Sequence, residues 1–283
     1  MSPFELQEPH SLREALEYLD QDDPAVRPLA GGTALMLMMK AGVFRPTRLV
    51  SLRRLPREYS QIEASGNEIR IGALATLSTL ERSAVVRREL PVVAQTLVTL
   101  SNVRVRNVAT LGGHLAHADP HMDLPPVLIA LGARLTTATL AGERTIPAEE
   151  LFKGYYETSL DSAELITQVR IPIQPNRRGV YLKCTARSAD DWPALGIAVV
   201  IDPDGQRVGD ARVVVSAATE KPTRLNEVEA LLRGNTIDAA LLKRAGNAAA
   251  EEANVISGVR GSAGYKRQLL RVYVARAVAQ ALS

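Results

Sequence analysis

Cysteine is almost absent from this chain, and its scarcity limits the metal and redox centres that the chain can hold. Cys184 is the only cysteine among 283 residues. An internal disulfide, a zinc site built from several thiolates and an iron–sulfur cluster held by this chain alone are therefore excluded. Any iron–sulfur cluster that works with this chain has to belong to another subunit.

Aromatic residues, concentrated basic charge and long apolar runs are also scarce. Aromatic residues make up 4% of the sequence, and 34 Lys and Arg stand against 31 Asp and Glu. Without a basic stripe or aromatic side chains for stacking, nucleic-acid binding is not expected. No apolar run reaches the roughly 18 residues of a membrane-spanning helix, and MSPFELQEPHSLREALEYLD lacks the basic head and apolar stretch of a secretion signal. We therefore expect a cytoplasmic protein without a membrane span.

The order of strand-like and helix-like segments predicts an α+β fold of two domains. Ser11 is expected to cap a short helix, and Gly66-Asn67 to form the turn of a β-hairpin. The stretch PIQPNRRGV, residues 172–180, has the composition of a linker. Beyond it, alternating segments around Asp204-Gly205 predict strands, and three helical segments follow. Strands followed by helices argue against a doubly wound sheet.

The stretch TLGGHLAHADPHMDLPP, residues 110–126, fits two kinds of site. Metal ligands are one possibility, because five suitable side chains fall within ten residues: His114, His117, Asp119, His121 and Asp123. The glycine pair Gly112-Gly113 fits a different site, in which backbone N–H groups turn toward a phosphate.

A second glycine pair favours the phosphate cradle. LAGGTAL, residues 29–35, shares its local form with TLGGHLA, and Thr33 and Thr110 add hydroxyl groups beside the two pairs. Neither loop is a GxGxxG or Walker A sequence, and the chain has no HExxH helix for zinc. A tight turn without a ligand remains the simpler interpretation of either pair alone.

These segments resemble the medium, flavin-binding subunit of the xanthine dehydrogenase and carbon monoxide dehydrogenase group of molybdenum hydroxylases. The resemblance rests first on LAGGTALMLMMKAG and VRNVATLGGHLAHADPHMDLPPVLIALGA, which are similar to the family's two FAD loops. It continues through IRIGALAT, FKGYYETSL, ITQVRIP, YLKCTARSADDWPALGIAVVI and VRGSAGYKRQLLRVYVARAV, almost to the C-terminus.

The resemblance implies an FAD-binding domain of the vanillyl-alcohol oxidase (PCMH) type over residues 1–174, in subdomains of about 1–57 and 58–174. A CO dehydrogenase flavoprotein C-terminal domain would cover residues 178–283. It also implies a set of FAD-binding positions but no catalytic residue and no metal ligand. These positions are Ala30, Gly31, Gly32, Thr33, Ala34, Thr110, Leu111, Gly112, Gly113, His114, Asp123, Ile166, Lys183 and Trp192.

Within this set, the family places the two glycine loops at the pyrophosphate, Asp123 at the ADP half and Ile166 at a backbone contact. Lys183 and Trp192 fall where the family has residues beside the isoalloxazine. A lysine there favours the anionic reduced ring, and a tryptophan can cover one ring face. On residue type alone, a snorkelling lysine and a core tryptophan are the simpler interpretations. Two positions depart from the family: His114 stands where asparagine is usual, and Ala34 where serine or aspartate is common.

The implied function is electron transfer within a three-subunit hydroxylase. A large subunit would carry the molybdenum cofactor, a small subunit would carry two-iron two-sulfur clusters, and this chain would hold noncovalent FAD and pass electrons to an external acceptor. A dimer of heterotrimers is the expected assembly. Two alternatives are an FAD-binding scaffold or maturation factor and a stand-alone flavin oxidase. The sequence does not specify the substrate or the final acceptor.

Overall fold

The computed structural model describes residues 3–205 and 207–282. Residues 1 and 283, the ends of the two predicted domains, lie outside the described residues. In the described part of the chain, no helix is both long enough and apolar enough to cross a membrane. The architecture is α+β, as predicted.

The N-terminal region is a small parallel sheet with two helices in its connections. Its elements are β1 (Glu5–Gln7), α1 (Leu12–Tyr18), β2 (Val26–Leu29), α2 (Thr33–Lys40) and β3 (Arg48–Ser51). The strand order is β1-β3-β2, and both pairings are parallel. The predicted cap is confirmed, because Ser11 Oγ accepts a hydrogen bond from the Glu14 amide at 3.2 Å. This order brings the end of β2 and the start of α2 to one edge of the region.

The next region packs seven short helices against a five-stranded sheet and adds a separate two-stranded sheet, β8-β9. After two short 3₁₀ helices (Leu52–Arg54, Arg57–Ser60), its elements are β4 (Ile62–Ser65), β5 (Glu68–Gly72), α3 (Leu77–Arg82), α4 (Ala84–Glu89), α5 (Pro91–Thr99), α6 (Val103–Arg106), α7 (Leu111–His117), α8 (Leu124–Ala130), β6 (Arg134–Thr139), β7 (Gly142–Pro147), α9 (Ala148–Leu151), β8 (Phe152–Gly154), β9 (Glu157–Thr158) and β10 (Leu165–Pro172). The sheet order is β4-β5-β10-β6-β7, with antiparallel pairings. The predicted hairpin at Gly66-Asn67 joins β4 to β5.

The C-terminal region is an antiparallel sheet covered by three helices. Its elements are β11 (Arg178–Cys184), β12 (Leu195–Asp204), β13 (Arg207–Ser216), β14 (Thr223–Arg224), α10 (Asn226–Leu232), α11 (Ala239–Glu252) and α12 (Ala263–Leu282). The sheet order β11-β12-β13-β14 follows the chain. The predicted turn at Asp204-Gly205 joins β12 to β13, with Asp204 as the last residue of β12, paired with Arg207.

The C-terminal sheet is buried on both faces. Ala198 and Val200 of β12 belong to the same apolar core as Val127 of α8, whereas Ile197 and Val199 pack in the core of α10, α11 and α12. Adjacent residues of a strand point to opposite faces, so one strand serves two cores. Its near-continuous apolar sequence, LGIAVVI, follows from this burial. The two domains therefore meet across a packed apolar interface.

Candidate cofactor site

The first glycine pair ends β2 and starts α2 without a side-chain cap. Gly32 is the N-cap residue with φ +69°, a left-handed conformation that glycine adopts readily. The first helical bond runs from the Met36 amide to the Gly32 carbonyl at 2.9 Å. Within residues 3–205 and 207–282, the amides of Thr33, Ala34 and Leu35 have no acceptor. Three backbone donors at the positive end of a helix are thus available to an anion.

The second glycine pair lies inside the first turn of α7, and the protein itself occupies the amides of that turn. The Leu111 amide donates to Ala75 O at 2.9 Å, and the Gly112 amide donates to Ala73 O at 2.7 Å. Thr110, the N-cap residue, accepts from the Gly113 amide through Oγ1 at 3.2 Å and from the His114 amide through its carbonyl at 2.9 Å. The two loops are therefore not equivalent as sources of N–H donors.

The two loops lie side by side, with backbone against backbone. A Cβ at Gly31 would be 2.2 Å from the Val108 carbonyl oxygen, so only glycine allows this approach. A Cβ at Gly112 would be 2.7 Å from the Ala73 Cβ. Gly113 differs, because it is exposed and an added Cβ would meet the Thr110 Oγ1 at 3.0 Å and the Ala30 Cβ at 3.6 Å. Gly31 allows the first loop to approach the segment before the second, Gly112 allows α7 to approach Ala73, and Gly113 leaves a bare backbone on the surface.

His114 follows Gly113 and carries a buried nitrogen that the protein does not satisfy. Its Nε2 has no hydrogen-bond partner in the described part of the chain. Burial, and secondarily the nearby His117, lowers the pKa of His114 to about 4. The imidazole is therefore neutral at pH 7 and offers one unused donor or acceptor beside the loops. Leu111, by contrast, is fully buried in the apolar core.

Asp123 and Lys183 form one buried ion pair. Lys183 Nζ donates to Asp123 Oδ2 at 3.0 Å, and the Tyr181 hydroxyl donates to Asp123 Oδ1 at 2.6 Å. Burial raises the pKa of Asp123, and Lys183 and Tyr181 oppose that shift. The resemblance assigns Asp123 and Lys183 to different ends of FAD, but the structure places their charged groups together. Tyr181 was not among the expected residues, although its spacing of two from Lys183 on a strand predicts the same face.

Trp192 returns to the neighbourhood of Lys183 through the loop after β11. The Asp191 carbonyl accepts from Lys183 Nζ at 3.2 Å. The Trp192 side chain is 48% exposed, so the simpler interpretation as a core residue is wrong. Its ring stacks on His121, with centroids 6.1 Å apart and an interplanar angle of 12°, and the Arg260 guanidinium lies 5.2 Å from the ring centroid.

Ile166 lies where β10 shifts its register against β6. Among the described residues, it makes no hydrogen bond to either glycine loop. Its neighbour Thr167 accepts from the Ala73 amide at 2.9 Å, and Ala73 in turn accepts from Gly112. Ile166 is thus connected to the second loop through two backbone bonds.

The three histidines of the second loop occupy different surroundings. His117 packs against Tyr156, with ring centroids 5.2 Å apart, and His121 Nδ1 lies 2.9 Å from Asp119 Oδ1. Among the described residues, no group of three or more His, Cys, Asp or Glu side chains is arranged to hold a metal ion. The geometry offers an anion site at the α2 amides and a buried ion pair, which are features of a cofactor pocket.

Sequence comparison assigns both domains. Residues 2–174 match the profile described as FAD binding domain in molybdopterin dehydrogenase, and residues 180–281 match CO dehydrogenase flavoprotein C-terminal domain. The chain belongs to the FAD-binding medium subunits of the molybdenum hydroxylases. It is an oxidoreductase flavoprotein with an FAD-binding domain followed by a C-terminal domain, the arrangement of the carbon monoxide dehydrogenase medium chain.

Relatives of this family share nearly the full length of the chain. The glyceraldehyde dehydrogenase medium chain of Sulfolobus acidocaldarius is 32% identical over 267 residues, which cover 94% of each chain. The nicotine 6-hydroxylase medium subunit of Paenarthrobacter nicotinovorans is 33% identical over 273 residues, covering 96% of this chain and 95% of that one. Carbon monoxide dehydrogenase from Hydrogenophaga pseudoflava has a chain that superimposes with a TM-score of 0.95 at 32% identity, covering 100% of this chain and 99% of its own.

Proposed function

We propose that this medium subunit binds FAD between its two glycine loops and passes electrons from an iron–sulfur subunit to an external acceptor. The observation that carries the proposal is the apposition of the loops, with Gly31 against Val108 and three free amides at the start of α2. Bound FAD would supply the conversion between single-electron and two-electron transfer.

The backbone of α2 supplies the pyrophosphate site in this proposal. The amides of Thr33, Ala34 and Leu35 point from the positive end of the helix, where an anion is stabilised. The second loop contributes differently: exposed Gly113 lets the cofactor approach the backbone, and the unsatisfied His114 Nε2 offers a hydrogen bond. Ala34 supplies only its amide, since it has no polar side chain.

In this proposal the Asp123–Lys183 pair lies beside one part of FAD, the isoalloxazine. Lys183 holds its ammonium in a buried position, where it pairs with Asp123, which the Tyr181 hydroxyl bonds in turn. A positive charge beside the isoalloxazine favours the ring when it carries extra negative charge. Trp192, exposed and adjacent, is the aromatic residue available to cover a ring face.

FAD binding is proposed to be noncovalent. Cys184 follows Lys183 on β11 and therefore projects from the other face of the sheet, where it packs against the same apolar core as Tyr273 of α12. Acid precipitation should release all flavin into the supernatant. Yellow colour retained by the washed precipitate would show a covalent link.

The proposed partners are a large subunit with the molybdenum cofactor and a small subunit with two-iron two-sulfur clusters, assembled as a dimer of heterotrimers in the cytoplasm. Named relatives such as the Hydrogenophaga pseudoflava carbon monoxide dehydrogenase medium chain support a multi-subunit setting. We place the domain boundary between residues 174 and 178, where the chain leaves β10 and enters β11, and the subdomain boundary near residues 57 and 58.

The deciding experiment compares the purified complex with a complex carrying Gly113→Val in this chain. Substrates named for relatives (carbon monoxide, glyceraldehyde, nicotine) and dithionite serve as electron donors, and flavin absorbance is followed by stopped flow with NAD, a quinone or oxygen as acceptor. We expect flavin reduction and reoxidation in the parent complex, and loss of acceptor turnover in the variant.

Three outcomes would contradict the proposal. A complex without flavin would remove its basis. Bound flavin that neither accepts nor donates electrons at a useful rate would identify a scaffold or maturation factor. Oxidation of an alcohol or aldehyde by this chain purified without partners would identify a stand-alone oxidase.

A further inference from the structure

The turn between α5 and α6, residues Thr99–Asn102, has an unfavourable backbone conformation. Ser101 has φ +53° although it carries a Cβ, and such residues are uncommon outside sites where the surroundings impose the conformation. Since the turn has no glycine to relieve it, other groups must hold it in place.

Arg106 of α6 holds the second half of this turn. It is buried, and its Nη1 donates to Leu100 O at 3.1 Å and to Ser101 O at 2.6 Å. Its Nε donates to Glu81 Oε2 at 2.9 Å, so the guanidinium is fixed from the opposite side by α3. The planar, five-donor guanidinium suits this task, because it can bind several acceptors in fixed directions.

Lys183 holds the first half of the same turn. Its Nζ donates to Thr99 O at 2.8 Å, while it also pairs with Asp123. Three consecutive carbonyl oxygens, from residues 99 to 101, therefore accept hydrogen bonds from two cations. The position of the lysine ammonium depends on where the Thr99 carbonyl lies, and that carbonyl belongs to the turn that Arg106 fixes.

We propose that Arg106 is a positioning residue of the cofactor site, which sets the Lys183 ammonium through the turn Thr99–Asn102. The inference rests on the proposed function, in which Lys183 lies beside the isoalloxazine. Among the described residues, the side-chain hydrogen bonds of Arg106 go to the turn carbonyls and Glu81, so its hydrogen-bonded link to Lys183 runs through the turn.

The alternative is that the Arg106–Glu81 pair serves folding alone. Removing one partner of a buried ion pair destabilises a protein strongly in any case, so stability does not separate the two roles. The flavin potential does separate them, because an effect transmitted through Lys183 disappears when Lys183 is replaced.

The test is a double-mutant cycle on FAD-loaded protein in the form in which it purifies, alone or in its complex. The variants are Arg106→Gln, Lys183→Met and the double variant. Arg104→Gln, an exposed arginine on the same helix, is the matched control. The flavin midpoint potential is measured by redox titration, and folding by circular dichroism.

Lys183→Met should lower the potential, and Arg106→Gln should lower it by a smaller amount, because the ammonium is no longer held in one place. In the Lys183→Met background, Arg106→Gln should cause no further shift. Arg104→Gln should match the parent. An unchanged potential in folded Arg106→Gln, or a shift that adds in full to that of Lys183→Met, would overturn the inference.

If Arg106→Gln does not fold, Arg106→Lys replaces it in the same cycle. A lysine keeps the charge facing Glu81 but has no planar fork for both carbonyls and the carboxylate. The same intermediate, non-additive shift is expected, and parent-like potential would again overturn the inference. If the parent protein holds no flavin, the proposed function fails, and the failure is distinguishable from that of Arg106.

Discussion

The two glycine loops are similar in sequence but different in backbone. In LAGGTAL the helix begins after the pair, and Gly32 takes a left-handed conformation. In TLGGHLA both glycines lie inside the first helical turn, whose amides bond to Thr110, Ala73 and Ala75. Among the described residues, the glycine pair is therefore followed by three amides without an acceptor in the first loop, whereas the corresponding amides of the second loop are hydrogen-bonded.

The residue two positions before the pair accounts for the difference. Thr110 has a hydroxyl oxygen that accepts from the helix start, as an N-cap residue does. Leu29 and Ala30 have no side-chain acceptor, so α2 begins without a cap. A glycine pair alone does not define an anion site; the absence of a capping side chain before it does.

The largest effect is expected from alanine at the first glycine of each pair. Gly31→Ala would push the loops apart at Val108, and Gly112→Ala would push α7 from Ala73, so both should lose FAD entirely. Overpacking of this kind should also reduce the unfolding free energy by about 1–3 kcal/mol. Flavin content and thermal denaturation check both effects. Gly264→Ala, exposed on α12 where an added Cβ would meet the Ser262 Oγ at 3.9 Å, is the control and should retain full flavin.

Replacing Gly113, the second glycine of the second loop, should weaken FAD binding without lowering the stability of the protein. Gly113→Val should weaken FAD binding by about a hundredfold, roughly 2.7 kcal/mol, because its side chain occupies the exposed face where the cofactor approaches. The flavin-free protein should melt near the parent temperature, since an added Cβ would meet the Thr110 hydroxyl at 3.0 Å and the Ala30 Cβ at an ordinary contact distance of 3.6 Å. Calorimetric titration with FAD measures the affinity. Parent-like affinity would show that the cofactor does not approach Gly113.

The stability of the protein should depend on pH through His114 of the second loop. Thr33, at the corresponding position of the first loop, does not titrate and contributes no such dependence. The pKa of His114 is lowered to about 4 in the folded protein, against roughly 6.5 in an unfolded chain. The unfolded chain therefore gains a proton first as pH falls, and stability is lost between about pH 6.5 and pH 4.

His114→Asn should remove this loss, which amounts to about 2 kcal/mol at pH 5 relative to pH 7. Urea denaturation of parent and variant at both pH values measures it. The remaining acid sensitivity should come in part from His117, whose pKa is also lowered by burial. Parallel stability profiles for parent and variant would contradict the buried, neutral state of His114.

The smallest effects concern the two threonines. Thr110→Val removes the cap of α7 and should reduce the unfolding free energy by about 1 kcal/mol. Thr33→Val removes no bond seen among the described residues, so stability should not change while FAD binding weakens several-fold. Chemical denaturation and FAD titration of both variants test this contrast. An equal loss of stability in the two variants would contradict the difference between the capped start of α7 and the uncapped start of α2.

Local signals in the sequence predicted much of the fold. The Ser11 cap, the Gly66-Asn67 turn and the turn at Asp204-Gly205 each depend on a few adjacent residues, and all three are confirmed. The close approach of Gly31 to Val108 joins residues 77 positions apart, and nothing in either local pattern encodes it. The Asp123–Lys183 pair likewise joins the start of α8 to β11. No local pattern predicts this ion pair, because it forms only when the two elements pack together.

Because β12 is buried on both sides, we expect the two domains to unfold as a single cooperative unit. An isolated C-terminal fragment would expose Ala198 and Val200 to water, and an isolated FAD-binding fragment would expose the matching face of α8. Cutting the chain at the linker should therefore not give a domain that can be exchanged between related enzymes. Partial degradation that releases one half would leave the other aggregation-prone, so a flavin subunit of this type is kept or lost as a whole.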